Sequence, residues 1–115
     1  MVGEIGREEL WEKLERGDEF VLVDALAPIA FARTRLPGAV NITPDWVDSR
    51  ARTRIPDRAA EVVVYCADEG CDSSVVVARR LVELGYEHVR HYPGGKRDWL
   101  EAGLPLEGSG VSRDP

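Results

Sequence analysis

A chain of 115 residues is one domain of ordinary size, able to bury roughly two-thirds of its unfolded surface without disulfide or metal staples. Its 15 Lys and Arg against 21 Asp and Glu leave a net charge of −6, which disfavours a nucleic-acid backbone as the main ligand. An apolar content of 43% and a charged content of 31% fit a soluble globular protein; no apolar run approaches the ~18 residues that span a bilayer, and two cysteines are too few for a disulfide-built scaffold.

The first ten residues, MVGEIGREEL, lack the basic and apolar regions of a secretory signal, which predicts a cytoplasmic protein. Ile5-Gly6 reads as a short edge strand leading into an amphipathic helix over Arg7–Leu14, with Leu10, Trp11 and Leu14 on one face and Gly17-Asp18 as its stop. Phe20–Val23 is a buried strand that terminates at Asp24, and Pro28 is placed to open a helix through about Arg33. After the Leu36-Pro37-Gly38 turn, Ala39–Ile42 is a third strand. Thr43-Pro44 then supplies an N-cap and a first-position proline, predicting a short helix that carries Trp46 and Val47 inward. Arg50–Ala60 is polar and contains Pro56, so it reads as a surface connection. Arg50, Arg52, Arg54 and Arg58 are interleaved there with Asp57, after Asp48, as on a solvated face.

Glu61–Arg80, EVVVYCADEGCDSSVVVARR, organises the rest. Val62 to Tyr65 form an unbroken apolar run, the pattern of a strand buried on both faces in a parallel sheet. The strand ends on Cys66. A polar loop of Ala67, Asp68, Glu69, Gly70, Cys71 and Asp72 follows, and Ser73-Ser74 lead into a helix over Val75–Leu84 capped by Gly85. His88–Tyr92 is a fifth strand, and Pro93-Gly94-Gly95 turn into a last helix that buries Trp99 and Leu100 and stops at Gly103. The segment from Glu107 to Pro115 reads as frayed. Strand–helix alternation predicts a three-layer α/β/α domain with a parallel sheet.

A cysteine between a buried strand and a helix occupies the end of a parallel sheet where sites are built, facing amides that favour a thiolate or an anion. The thiolate is the reactive form, so Cys66 reads as a candidate nucleophile. Position alone leaves a second reading open, a small buried side chain capping the strand. Asp24, an acid closing another buried strand, must find donors, and it is expected to accept hydrogen bonds from backbone N–H groups nearby. No metal site is expected: His88 and His91 are three apart on a strand and point to opposite faces, so they do not complete a set with Cys66 and Cys71. No cofactor is expected either. A phosphatase loop needs an arginine six residues after its cysteine, and that position is Asp72.

Four pieces of sequence together resemble the single-domain rhodanese (sulfurtransferase) family from Ile5 to about Glu107: Val21-Leu22-Val23-Asp24, Leu36-Pro37-Gly38-Ala39-Val40-Asn41-Ile42, Val63-Val64-Tyr65-Cys66, and Leu84-Gly85-Tyr86 through Tyr92-Pro93-Gly94-Gly95 with Trp99. The resemblance implies a rhodanese-like domain over residues 1–108, followed by a flexible tail at 109–115. It implies a five-stranded parallel sheet in the order 3-2-4-5-1. It further implies that Cys66 takes a sulfane sulfur from a donor such as thiosulfate or a persulfide, holds it as a persulfide in the cradle of Ala67–Cys71, and passes it to a thiol, cyanide or an acceptor protein. Neither nucleic acid nor membrane is an implied partner.

The Cys66-x4-Cys71 spacing resembles a subgroup with a second loop cysteine, with Ser74 where that subgroup keeps a serine, and leaves two readings of Cys71 open, a resolving thiol or a side chain packed under the helix. The chain departs from the common pattern in its longer loop, in lacking a closing arginine, and in having Leu26 and Arg35 where an arginine and a histidine usually stand. Asp68, Glu69 and Asp72 instead repel a dianion, which points to a low-charge sulfane donor. Arg33 and Arg35 are the cations expected to support an anionic donor. The same departures fit two alternatives, a non-catalytic rhodanese-like binding or regulatory module and a Cys66/Cys71 thiol redox sensor.

Overall fold

The structure, a computed structural model, describes residues 2–111. In chain order the elements are β1 (Gly3–Glu4), α1 (Arg7–Arg16), β2 (Val21–Asp24), α2 (Pro28–Arg33), β3 (Val40–Asn41), a 3-10 turn (Pro44–Trp46) running into α3 (Val47–Arg54), β4 (Glu61–Tyr65), α4 (Ser73–Glu83), β5 (His88–Tyr92) and α5 (Gly95–Glu101). All strands pair in parallel in the order β1-β5-β4-β2-β3, which is the expected order read from the other edge.

The valine run forms the middle of this sheet because both of its faces are covered. Val62 and Val64 pack with Val47, Ile55, Val77 and Leu81 on the face of α3 and α4. Val63 and Tyr65 pack with Leu10, Leu36 and Trp99 on the face of α1 and α5. Crossovers leave β2 toward β3 and β4 toward β5, in opposite directions along the sheet. The loops after β2 and β4 therefore diverge, opening a crevice at the carboxyl ends of these neighbouring strands.

Several local expectations are corrected. The first strand is Gly3–Glu4; Ile5 leaves it to enter the core, 2% exposed. The stretch read as a surface connection contains most of α3, whose Ala51 and Ile55 are buried four residues apart among the exposed arginines, so one thin apolar stripe suffices to dock it. Trp46 does not turn inward with Val47. Neighbouring residues of a helical turn lie roughly 100–120° apart, and Val47 takes the core side while Trp46 remains 38% exposed. Leu100 loses the inward position to Trp99 for the same reason.

The segment after α5 returns to the domain. Arg35 and Glu107 exchange backbone hydrogen bonds of 2.9 and 2.8 Å, and Ser109 and Gly110 donate their N–H groups to the carbonyls of Ala32 and Arg33. The tail expected to be flexible from residue 109 is thus tied to α2 as far as Gly110, while residues 112–115 lie outside the described residues. Among the described residues no helix is long and apolar enough to cross a membrane.

Candidate active site

Cys66 is the first residue beyond β4 and is 1% exposed. Its carbonyl accepts the Lys96 N–H at 3.0 Å, and the Ala67 carbonyl accepts the Arg97 N–H at 2.8 Å. The first amides of α5, which have no partner within their own helix, are thereby spent on the cysteine backbone. This approach requires glycine at position 95: its φ is +64°, and a Cβ there would lie 2.6 Å from the Cys66 carbonyl oxygen. Gly94-Gly95, read from sequence as a turn, is also the clamp on the cysteine.

Beyond Ala67 the loop is built on its own acids. Asp68 turns its carboxylate back to accept the Gly70 N–H at 2.9 Å, and its carbonyl accepts the Cys71 N–H at 3.2 Å. This brings Cys71 back over the strand end, with the Cα atoms of Cys66 and Cys71 6.2 Å apart and the two sulfurs joined as a disulfide. The Asp72 carbonyl starts α4 by accepting the Val76 N–H at 3.0 Å. Glu69 and Asp72 stay exposed.

Ser74 lies under the loop, 1% exposed, with its hydroxyl 2.8 Å from Nε2 of His91. Burial pushes the His91 pKa below the usual imidazole value, and the negative charge of Glu4 offsets part of that. His88, the other histidine, is exposed at the opposite end of β5.

Asp24 anchors the neighbouring strand end. It is fully buried; Oδ1 accepts the Leu26 N–H at 2.8 Å, and Oδ2 accepts the Tyr65 hydroxyl at 2.8 Å. The Tyr65 hydroxyl in turn accepts the Leu36 N–H at 3.0 Å. The Lys96 ammonium lies 3.7 Å from Asp24 Oδ2 and donates to the Ala30 carbonyl at 3.3 Å. Burial pushes the Asp24 carboxyl above its usual range, opposed by these donors and by the lysine charge. The same burial lowers Lys96, opposed by Asp24, and holds the Tyr65 hydroxyl protonated far above its ordinary range, with Asp24 reinforcing it. Asn41 completes the cluster by donating to the carbonyls of Asp24 and Leu26 at 3.0 and 2.7 Å.

Sequence reasoning located Asp24 and its backbone donor but missed Tyr65, Asn41 and Lys96 as its companions. A lysine directly after Gly94-Gly95 was the available signal for Lys96. Arg33 and Arg35 stand elsewhere. Arg35 stacks on Phe31 with its guanidinium carbon 4.8 Å from the ring centre, lies 4.0 Å from the Glu107 carboxylate, and donates to the Phe31 carbonyl. The Arg33 carbonyl receives Gly110. Their hydrogen bonds and ion pairs run to α2 and the C-terminal segment rather than to the cysteine loop.

One cleft, about 440 Å³, borders the cysteine loop through Asp68, Glu69 and Gly70 and is closed by Arg97 and Asp98. Two others differ in size and place. The larger, about 1080 Å³, lies between α2 and the C-terminal segment, lined by Phe31, Arg35, Glu107 and Gly108, away from the cysteines. The smaller, about 380 Å³, is lined by Ala25, Ala27, Pro28, Thr43, Pro44, Asp45, Trp46 and Ser73. Its walls are the segments after β2 and β3 and the start of α4, at the carboxyl edge of the sheet beside the β2–β4 crevice, and neither cysteine lines it. Position in the fold outweighs size here.

A profile of the Rhodanese-like domain matches residues 6–102. The chain belongs to the rhodanese-like family. This rhodanese-like domain is 30% identical over 106 residues to a protein named Sulfurtransferase from Allochromatium vinosum, covering 92% of this chain and 95% of the relative. It is 33% identical over 104 residues to Thiosulfate sulfurtransferase GlpE from Haemophilus influenzae, covering 90% and 93%. Among solved structures it resembles the rhodanese-like domain of Alr3790 from Anabaena, with a TM-score of 0.83 and 25% identity over 100% of this chain and 86% of that one. BH2092 from Bacillus halodurans shares the fold, with a TM-score of 0.89 at 20% identity over 98% and 82%.

Proposed function

We propose that this protein moves a sulfane sulfur through a persulfide on Cys66, and that Cys71 resolves that persulfide when no other acceptor does. It is a rhodanese-type sulfurtransferase, a reading supported by the family match and by near full-length similarity to proteins named as sulfurtransferases. The observation that carries the mechanism is the pairing of a cysteine at the end of β4 with a second cysteine that the loop returns to within bonding reach.

In the reduced protein the Cys66 thiolate attacks the outer sulfur of a donor R–S–SH. The donor S–S bond breaks, RS⁻ leaves, and Cys66–S–SH is formed. With the Gly70 and Cys71 N–H groups bound to Asp68, the unpaired amides at the start of α4 are the donors left for the incoming anionic sulfur. A nucleophilic acceptor then takes the outer sulfur and returns the Cys66 thiolate. In the absence of one, the Cys71 thiolate attacks the Cys66 sulfur, HS⁻ leaves, and the Cys66–Cys71 disulfide results; a small thiol reductant restores both thiols. Asp68, Glu69 and Asp72 favour a persulfide over a thiosulfate dianion as donor. Ser74 lies beneath the loop and Asp24 closes the neighbouring strand end, and both are positioning groups.

Intact-mass measurement of the reduced protein after exposure to an organic persulfide should show one added sulfur, removable by a thiol reductant, in the parent and in Cys71→Ser but not in Cys66→Ser. Only the parent should go on to release sulfide and form the internal disulfide. Loading of Cys66→Ser to the same extent would overturn the assignment of the nucleophile. Absence of loading from any donor would leave the acidic loop as a protein-binding surface.

A further inference from the structure

Trp46 is a large apolar side chain left 38% exposed, and it lines the 380 Å³ cleft beyond the ends of β2 and β3. The backbone that carries it is fixed in its turn: the Trp46 N–H donates to the Thr43 carbonyl at 3.0 Å, and the Trp46 carbonyl accepts the Ser49 hydroxyl at 3.2 Å. Arg50, one helical turn on, lays its guanidinium on the ring, 3.9 Å from the centre. Asp45, the residue before Trp46, lines the same cleft. Among the described residues neither Asp45 nor Arg50 makes an ion pair, whereas Asp48, between them in sequence, pairs with Arg80 at 2.7 Å.

An exposed aromatic flanked by a carboxylate and by a guanidinium stacked on its ring, neither of them in an ion pair, is complementary to a molecule carrying an ammonium and a carboxylate. A cleft of 380 Å³ is at the small end of the roughly 300–1,000 Å³ that small-molecule sites occupy. The thiosulfate dianion gains little from such a wall, because Asp45 opposes whatever Arg50 offers. We propose that Asp45, Trp46 and Arg50 form a subsite for the amino-acid part of a zwitterionic thiol persulfide, making them the donor-specificity residues of the sulfur transfer. The inference rests on the Cys66 sulfurtransferase reading and names the donor class for it. Asp45 takes the donor ammonium, Arg50 its carboxylate, and Trp46 covers the carbon chain between them, so that the persulfide sulfur extends past Ser73 toward the loop.

Two measurements test this on the reduced full chain, with circular dichroism confirming that each variant is folded. S-methylglutathione, which has the required charges and no transferable sulfur, should bind the parent saturably by calorimetry, roughly tenfold more weakly to Arg50→Gln, and with partial recovery in Arg50→Lys. With glutathione persulfide as donor, Arg50→Gln and Asp45→Asn should each raise KM with kcat unchanged; with thiosulfate, Asp45→Asn should lower KM. Absence of saturable binding to the parent overturns the proposal. So do KM values that move equally for both donors, or that do not move. Failure of Cys66 to load from either donor, with S-methylglutathione binding still sensitive to Arg50 and Asp45, sinks the sulfur-transfer reading and leaves the subsite standing.

Discussion

The ends of β2 and β4 are neighbours in the sheet, and both finish an apolar strand on a reactive side chain, yet they are built in opposite ways. At Asp24 every polar atom is answered: two direct donors, a lysine charge and an asparagine on the adjacent carbonyls close the site to solvent. At Cys66 the backbone is fixed by the amides of α5, while the side chain is tied only to Cys71, in a loop whose Glu69 and Asp72 are exposed. A buried charge that is fully paired is rigid and costly to disturb, whereas a thiol that must gain and lose sulfur needs an adaptable cover over a fixed base. Under the proposed mechanism, structural and chemical duties are thus divided between two strand ends that share Lys96.

If that division is right, Asp24→Ala has the largest effect on folding. It leaves the Tyr65 hydroxyl, the Leu26 N–H and the Lys96 charge without their partner, which should cost about 3–5 kcal/mol and lower Tm by roughly 10 °C or more. Turnover per folded molecule should change far less. A variant that melts normally but loses sulfur transfer would transfer Asp24 to the chemical side of the comparison.

Gly95→Ala should strike both ends at once. The left-handed backbone and the overlap with the Cys66 carbonyl together should cost about 2–4 kcal/mol, and the displaced cysteine should also lose rate in the folded protein. Thermal melting and single-turnover loading of Cys66 measure the two losses separately. A melting loss with normal loading would show that α5 does not set the cysteine.

The smallest effect concerns His91, and its sign is fixed by the direction of its shift. Its folded pKa is below the unfolded value, so the unfolded chain binds more protons between the two; stability rises with pH through that window and falls on acidification below about 6.5. Asp24, raised in the folded state, acts in the opposite sense at lower pH, gaining stability as pH falls from its folded pKa toward the ordinary carboxylate value. Denaturant melts of parent and His91→Gln from pH 7.5 to 5 should therefore diverge, with the parent losing more of its stability on acidification. Parallel curves would mean that contacts in the folded protein, the Ser74 hydroxyl among them, offset burial and leave the His91 pKa where it lies in the unfolded chain.

How much of this was legible beforehand follows from the range of the interactions involved. The Val62–Tyr65 run, Pro28, Gly85 and Trp99 are local signals of burial, helix start and helix end, and they sufficed for the alternation and the place of Cys66, whereas the sheet order came from the family resemblance. The thin stripe of α3 was hidden by its arginines, since two apolar residues in a charged stretch fall below what periodicity can resolve. The outward turn of Trp46 depended on which of two adjacent residues the core had room for.

Sequence by itself determined the sheet, the strand-end cysteine, the second thiol and the carboxylate of Asp24, all properties of short segments that pattern and chemistry dictate wherever they fold. Only tertiary structure decided what those groups face. Lys96 reaches Asp24 across 72 positions of sequence, Tyr65 reaches it across 41, and Arg35 turns toward a C-terminal segment instead of the loop. Such partnerships arise from the packing of separate elements around a shared core, where a one-residue rotation changes the neighbour of a side chain without altering any local signal.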